Sequence, residues 1–86
     1  MKEQEIGFIS KYFGKINVGA IDLTTGELNT GDVIHIQGHT TDLEETITSM
    51  QIEHASVSEA KAGDSIGLKV SEKVRRGDKV FKVLED

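Results

Sequence analysis

The sequence has no cysteine and no proline, and only four of its 86 residues are aromatic. Without cysteine the chain has no disulfide, no thiolate nucleophile and no cysteine-ligated zinc, so packing and backbone hydrogen bonds must stabilise it. No apolar run approaches the roughly 18 residues that cross a bilayer. Glu3 and Glu5 also lie where a secretory signal peptide has basic residues followed by an apolar stretch. We therefore expect a cytoplasmic protein without membrane contact.

The length of the chain predicts a single domain that spans residues 1–86. A chain this short buries only about 60–65% of the surface it exposes when unfolded, which leaves no material for a second core. Its 36% hydrophobic and 29% charged residues are typical of a globular domain rather than of a disordered tail. From the length we therefore expect no multidomain enzyme.

The net charge of −5 conceals an uneven distribution of charged residues. Residues 16–60 contain eight acidic residues and no lysine or arginine. Six of the ten basic residues instead lie between positions 69 and 82: Lys69, Lys73, Arg75, Arg76, Lys79 and Lys82. Only Glu72 and Asp78 oppose them, and local potential decides whether a phosphate backbone can dock, so we predict a binding patch of about +4 there.

Short segments rich in β-branched residues recur between glycine-centred breaks, and no window keeps helical spacing of apolar residues for three turns. This pattern predicts an all-β protein. In the segment 33–37, Ile34 and Ile36 are predicted to face the core and His35 the opposite side. We predict six strands, at residues 6–13, 16–23, 33–37, 46–54, 65–70 and 79–84.

Two segments depart from this simple pattern. From Ile47 to Ile52 the apolar positions change parity, which predicts a β-bulge near Thr48 and Ser49. Residues 56–62 resemble a capped helical turn, because Glu59 follows Ser56 at the spacing of a capping box. We expect at most two helical turns there.

Three Gly-Asp pairs, at residues 31–32, 63–64 and 77–78, each precede an apolar strand position by two residues. Glycine accepts the positive φ of a tight turn, and an aspartate carboxylate can accept hydrogen bonds from nearby backbone N–H groups. Each pair therefore predicts a turn that begins a strand. Six short strands in a small chain leave exposed edges unless the sheet closes, so we predict a small closed β-barrel.

The order of the motifs resembles the second domain of translational GTPases of the elongation factor Tu type. The matching motifs are IGFI at 6–9, GKINV at 14–18, GEL at 26–28, GDVIHI at 31–36, SMQI at 49–52, AKAGD at 60–64 and RGD at 76–78. The resemblance implies a six-stranded Greek-key β-barrel and a stand-alone elongation-factor-like protein. In that family the barrel contacts the GTPase domain, ribosomal RNA or the acceptor end of aminoacyl-tRNA. The barrel is also similar to the C-terminal module of some collagenase-like peptidases.

The nucleotide-binding half of the GTPase family is missing from this sequence. Ile16 follows Gly14-Lys15, Ile9 replaces the first glycine of a P-loop, and no Asn-Lys-x-Asp motif for guanine is present. We therefore expect no GTPase activity, no bound nucleotide and no other cofactor.

The string GDSIG at 63–67 satisfies the G-x-S-x-G pattern of hydrolases, in which a strand-to-helix elbow exposes a nucleophilic serine. Here the string begins a predicted strand, so we interpret Ser65 as part of a turn. His35 and His39 are four residues apart but are not predicted to be helical, and nothing in the sequence brings His54 near them. We therefore predict no metal site. Glu44 and the acidic residue that follows it are interpreted as solvated charge.

These observations predict a non-catalytic binding module, not an enzyme. We predict that it docks on RNA or a ribonucleoprotein, such as a ribosomal particle, through its basic patch, although Phe81 is the only aromatic residue near that patch in the sequence. The basic side chains also fit a simpler role as solvated residues on two strands. The alternative function is a protein-interaction subunit beside a separately encoded GTPase or collagenase-like peptidase. It would use the acidic face or the loop of His39, Thr40, Thr41 and Asp42.

Overall fold

The computed structural model describes residues 2–84, which form ten β-strands and no helix. An all-β fold is therefore confirmed. None of the described residues forms a helix that is long and apolar enough to cross a bilayer. The strands are β1 (Lys2–Phe13), β2 (Val18–Leu23), β3 (Glu27–Asn29), β4 (Val33–Gln37), β5 (Asp42–Thr46), β6 (Met50–Ile52), β7 (Ala55–Val57), β8 (Glu59–Lys61), β9 (Ser65–Lys69) and β10 (Lys79–Leu84).

Eight strands form one sheet in the order β5-β4-β10-β1-β2-β9-β6-β7, and β3 pairs with β8 in a second sheet. The backbone N–H of Thr30 donates a hydrogen bond to the Ser58 carbonyl at 3.0 Å, and that of Gly31 donates one to the Ile47 carbonyl at 2.8 Å. Thr30 and Gly31 thus lie between the ends of β5 and β7, where direct pairing would have closed the sheet. Within residues 2–84 the two end strands do not pair. The predicted six-stranded closed barrel is wrong in strand number and in closure.

The segment predicted as one bulged strand at 46–54 instead contains the end of β5 and the whole of β6, separated by residues 47–49. β5 ends at Thr46 and β6 begins at Met50. Between them Ile47 leaves the β4–β5 ladder and exchanges two backbone hydrogen bonds with Asp32 and Gly31, both at 2.8 Å. This pairing buries the Ile47 side chain in the core. The change of parity therefore comes from a break in the strand, and the predicted bulge is wrong.

The helical turn predicted at residues 56–62 is also wrong, because this segment is extended. Its first part belongs to β7, and its second part is β8. Ala60 is buried and lies opposite Leu28 in the β3–β8 ladder. Tertiary pairing therefore overrides the local capping signal. Three-residue strands are too short to produce a readable period in the sequence.

The core is formed by aliphatic side chains that alternate along the strands. As predicted, Ile34 and Ile36 are buried and His35 faces outward. Ile66 and Leu68 repeat this arrangement on β9. Each fully buried isoleucine or leucine contributes about 1.5–3 kcal/mol relative to an exposed one. Burial on one face of each strand therefore holds the register of the sheet.

Strand β1 lies between β10 and β2 and carries two irregularities. Its register with β10 shifts between Glu5 and Gly7, and its register with β2 shifts between Ile9 and Lys11. An extra residue in a strand re-aims the side chains that follow it. The second shift places Lys11 on the same outer face as Phe8, although the two residues are an odd number of positions apart.

The three Gly-Asp turns form as predicted. Gly31, Gly63 and Gly77 have φ values of 95°, 97° and 94°. The aspartate that follows each glycine accepts a hydrogen bond from the backbone N–H three residues before it, at 2.8–2.9 Å. Each turn is therefore closed by a glycine conformation and by a side-chain cap.

Replacing Gly77 by alanine is expected to lower the free energy of unfolding by about 1–2 kcal/mol, because a Cβ disfavours this left-handed backbone. No atom lies within 4 Å of the position that the Cβ would take, so the substitution tests backbone conformation alone. Urea denaturation measures the effect. Gly14→Ala is the control, since the new Cβ would meet only the Tyr12 ring, at 3.5 Å. Equal stability of the two variants would contradict the argument.

Candidate binding surfaces

Three of the predicted basic residues lie together on the connection between β9 and β10. Lys73, Arg75 and Arg76 flank Val74, which is buried and anchors this segment. The Gly77 N–H donates to the Ile9 carbonyl at 2.8 Å, so the segment lies along β1. An open groove of about 730 Å³ separates it from Ser10, Lys11 and Tyr12. We call residues 73–76 the basic connection.

The other three predicted residues do not share this groove. Lys69 lies opposite Val18 on the outer face of the sheet, and Lys79 lies between Phe8 and Gln37 at the start of β10. Lys82 is engaged elsewhere. Its Nζ is 3.4 Å from the Asp32 carboxylate and donates to the Glu27 carbonyl at 3.2 Å.

Sequence reasoning missed the residues that β1 contributes to this region. Lys11 lines the groove beside the basic connection, and its Nζ lies 5.1 Å from the centre of the Phe13 ring. Tyr12 lines the same groove, whereas Phe81 faces His35, with ring centroids 6.2 Å apart. The aromatic residues near the basic groups therefore come from β1 and not from β10. Only the long-range pairing of β1 reveals this.

The loop offered as an alternative contact site is partly structural. The Gly38 N–H donates to the Thr41 carbonyl at 2.8 Å, and the Thr41 side chain is buried. His39 and Thr40 are exposed. Asp42 is the first residue of β5 and contacts His35. Only His39 and Thr40 are thus free of an evident structural role among these four residues.

His35 connects three strands on the outer face. Its Nδ1 lies 2.9 Å from a Glu3 carboxylate oxygen on β1, and its Nε2 lies 2.5 Å from an Asp42 carboxylate oxygen on β5. A neutral imidazole has one N–H, so both carboxylates receive a hydrogen bond only when the ring is an imidazolium. These hydrogen bonds, first that to Asp42 and then that to Glu3, raise the pKa of His35 above its ordinary value of 6.5, against a smaller opposing effect of desolvation.

The outer face of β1, β2 and β9 carries unusual side chains. Phe8 and Phe13 lie there, and together with Ile16 on the β1–β2 turn they are the exposed large hydrophobic residues of the described chain. Register places Lys11 opposite Ala20, and Ala20 opposite Gly67. The small residues Ala20 and Gly67 therefore form a depression in the middle of this face, and bulkier side chains surround it.

A groove of about 320 Å³ lies over this low area. Phe13 and Ile16 border one end of it, and the β6–β7 turn with Glu53 and His54 borders the other. The groove also contacts Val18, Ala20, Gln51, Ser65, Ile66 and Gly67. We call this feature the outer groove. Its volume is at the lower limit of the roughly 300–1,000 Å³ of ligand pockets.

Ser65 begins β9 and donates a hydrogen bond to the Asp22 carboxylate at 2.7 Å. It therefore lies at a turn-to-strand junction rather than at a strand-to-helix elbow. Across residues 2–84, no three histidine, aspartate or glutamate side chains are arranged to hold a metal ion.

Comparison with known proteins places the fold. The family model described as elongation factor Tu domain 2 matches residues 12–81. An uncharacterized protease of Methanocaldococcus jannaschii is 42% identical over 82 residues, which is 94% of this chain and 20% of the protease. A collagenase of Porphyromonas gingivalis is 36% identical over 73 residues, which is 84% of this chain and 20% of the collagenase. The chain thus spans about a fifth of the length of the curated relatives it matches.

Two solved structures have the same fold. Both are C-terminal domains of a Geobacillus thermoleovorans protein assigned to the U32 peptidases. One superposes with a TM-score of 0.86 at 13% identity and covers 94% of this chain and 93% of that domain. The selenomethionine form gives a TM-score of 0.83 at 12% identity, over 90% of this chain and 96% of that domain.

Proposed function

The chain belongs to the elongation factor Tu domain 2 family, and from this premise we propose that it is a non-catalytic, protein-binding module that acts beside a peptidase of the collagenase type. A fold by itself does not define a function, so the proposal must rest on more than the fold.

The extent of the sequence similarity carries the proposal. Nearly the whole of this chain aligns with about a fifth of proteins that are named a protease and collagenases. In those proteins this module accompanies a much larger remainder. A folded unit that recurs in this way is suited to positioning a partner or a substrate for chemistry performed elsewhere.

The contacts of Ser65 also support a non-catalytic role. Its hydroxyl donates to Asp22 at 2.7 Å, whereas a nucleophilic serine donates to a general base such as histidine. The first glycine of the string serves the backbone, since Gly63 has a φ of 97° and ends a turn. Turn geometry and the Asp22 contact therefore account for Gly63 and Ser65 without a catalytic role.

Binding in trans tests the proposal. The protease of Methanocaldococcus jannaschii is prepared without the segment that matches this chain, and this chain is added to it in sedimentation velocity experiments. We expect a complex with the shortened protease and a weaker one with the intact protease, whose own segment occupies the contact. A failure to bind the shortened protease would contradict the proposal.

A second candidate function, docking on RNA, is favoured by one observation. Lys11 and Tyr12 lie across a groove from Lys73, Arg75 and Arg76, so cationic and aromatic groups share one surface. Arginine holds a phosphate through paired hydrogen bonds, and an aromatic ring stacks on a base.

Replacing Arg75 and Arg76 together by glutamate is expected to abolish binding to a single-stranded RNA oligonucleotide if this second function holds. The wild-type affinity should fall with salt, with a slope of about 0.7 per phosphate contact on a log–log scale. Filter binding at several salt concentrations measures both effects. Because both residues are exposed, the melting temperature should not change. RNA binding that survives the double substitution would reject the basic connection as the contact.

A further inference from the structure

Gly67 lies at the centre of β9 although the fold does not require a glycine there. Its φ is not positive, and a Cβ at this position would meet only the Val18 side chain, at an ordinary 3.6 Å. A glycine within a strand costs roughly 0.5–1 kcal/mol relative to alanine. Such a glycine often marks a place where another chain or ligand approaches closely.

Gly7 of β1 and Gly38, which follows β4, have evident steric reasons to lack a side chain. A Cβ on Gly7 would lie 2.1 Å from the Asp22 carbonyl oxygen, and one on Gly38 would lie 1.9 Å from the Asp78 carboxylate. Gly67 differs from both because space is available above it. Because Gly67 has no side chain, its backbone forms part of the floor of the outer groove.

The β6–β7 turn at one end of the outer groove adds an independent observation. Glu53 and His54 both have positive φ values, of 50° and 68°. A two-residue hairpin turn of this kind favours asparagine and glycine, because other residues are strained there. The chain instead has a carboxylate and an imidazole side chain at this end of the groove. Strained positions of this kind cluster at active sites and ligand clamps.

The opposite end of the outer groove is apolar, and two lysines outside its lining flank it. The Phe13 and Ile16 side chains are 41% and 59% exposed. Lys11 lies over the Phe13 ring, and Lys69 lies beside Val18 in the neighbouring pair of strands. No acidic residue occupies the cross-strand rows that contain these two lysines.

We propose that the outer groove binds a peptide segment that places a large apolar side chain over Ala20 and Gly67 and an acidic side chain beside Lys11 and Lys69. The small floor residues leave room for the apolar group, and the two lysines are complementary to the acid. The identification of that segment as part of a collagenase-type peptidase rests on the proposed function; the groove and its chemistry do not.

The first test uses a defined probe. The ¹⁵N-labelled protein is titrated with the capped peptide Gly-Ser-Leu-Asp-Glu-Ser and with two matched peptides, one with serine for leucine and one with lysine for both acids. We expect amide shifts at Gly67, Ala20 and His54, and binding at least about fivefold weaker for each matched peptide. The absence of shifts, or shifts confined to the basic connection, would overturn the proposal.

The second test blocks the groove. Gly67→Val fills the floor with a good strand former, so we expect the melting temperature to be retained while affinity for the shortened protease falls by at least about tenfold. Gln37→Val is the matched control, because Gln37 lies on the outer face at the end of β4, away from the groove. Lys69→Glu, an exposed charge reversal, should reduce affinity without affecting folding.

The two proposals fail in different ways. Wild-type protein that ignores the shortened protease but binds the acidic peptide at Gly67 would reject the proposed function and retain the groove. Protease binding that is unchanged by Gly67→Val and by Lys69→Glu would reject the groove and retain the proposed function. Self-association of the wild type that Gly67→Val removes would also overturn the groove proposal, since a second copy would then be the occupant.

Discussion

Replacing Gly7 by alanine is expected to destabilise the protein by about 3 kcal/mol or more, at the upper end of what overpacking costs. The new Cβ would lie 2.1 Å from the backbone oxygen of Asp22, which cannot move without disturbing the β1–β2 ladder. A domain of this size has a total stability of only about 4–13 kcal/mol. Urea denaturation followed by circular dichroism measures the loss.

Gly67→Ala is the matched control for Gly7→Ala, because both glycines lie within strands of the same sheet. We expect it to leave the free energy of unfolding unchanged or to raise it by about 0.5–1 kcal/mol, since Gly67 has no steric reason to lack a side chain. A large loss of stability in Gly67→Ala would show that the fold needs this glycine. It would remove the main argument for the outer groove.

The stability of the protein is expected to fall as the pH rises through the folded-state pKa of His35. Hydrogen bonds to Asp42 and Glu3 raise that pKa above the unfolded value of 6.5. The stabilisation is therefore fully present below the unfolded value and is lost as the pH rises through the higher folded value. Melting temperatures measured across this range, with the pKa of His35 determined by NMR, test the direction.

His35→Gln is expected to lower the free energy of unfolding by about 1–2 kcal/mol at acidic pH and to flatten this pH dependence. The cost stays modest because the Asp42 side chain is 78% exposed and solvent screens the pair. His39→Gln is the control, because His39 is exposed on the neighbouring loop. A pH profile that survives His35→Gln would assign the effect to another group.

Local sequence patterns were sufficient for parts of the fold. The alternation of apolar and polar residues around His35 predicted which of its neighbours are buried, because every second side chain of a half-buried strand faces the core. The Gly-Asp pairs predicted turns whose glycines have φ near 95° and whose aspartates cap the backbone. Both features depend on residues within a few positions of each other.

Features that depend on distant pairing were not predictable. The three-residue strands β3 and β8 exist because they pair with each other across about thirty residues of sequence. The prediction of a closed barrel failed for a similar reason. The backbone of Thr30 and Gly31 hydrogen-bonds to the residues that follow β7 and β5, and these two end strands do not pair with each other in residues 2–84. No local signal in the sequence indicates either arrangement.

The candidate surfaces also divide into parts that local sequence patterns predict and parts that depend on long-range pairing. The basic connection was visible as a run of charge, but Lys11 and Tyr12 border it only because backbone hydrogen bonds at Ile9 hold β1 beside that segment. The outer groove could not be predicted from the sequence. The argument for it depends on the φ values of Glu53 and His54 and on the spatial neighbours of Gly67, which only the structure gives. Positive φ at residues other than glycine is a structural observation that the sequence does not record.

Hydrogen–deuterium exchange of this chain with the shortened protease reports both whether the protease binds and whether it covers the outer groove. We expect slower exchange in β9, in the β1–β2 turn and in the β6–β7 turn, with little change in residues 73–76. Unchanged exchange throughout would contradict binding to the protease, and protection confined to the basic connection would contradict binding through the outer groove.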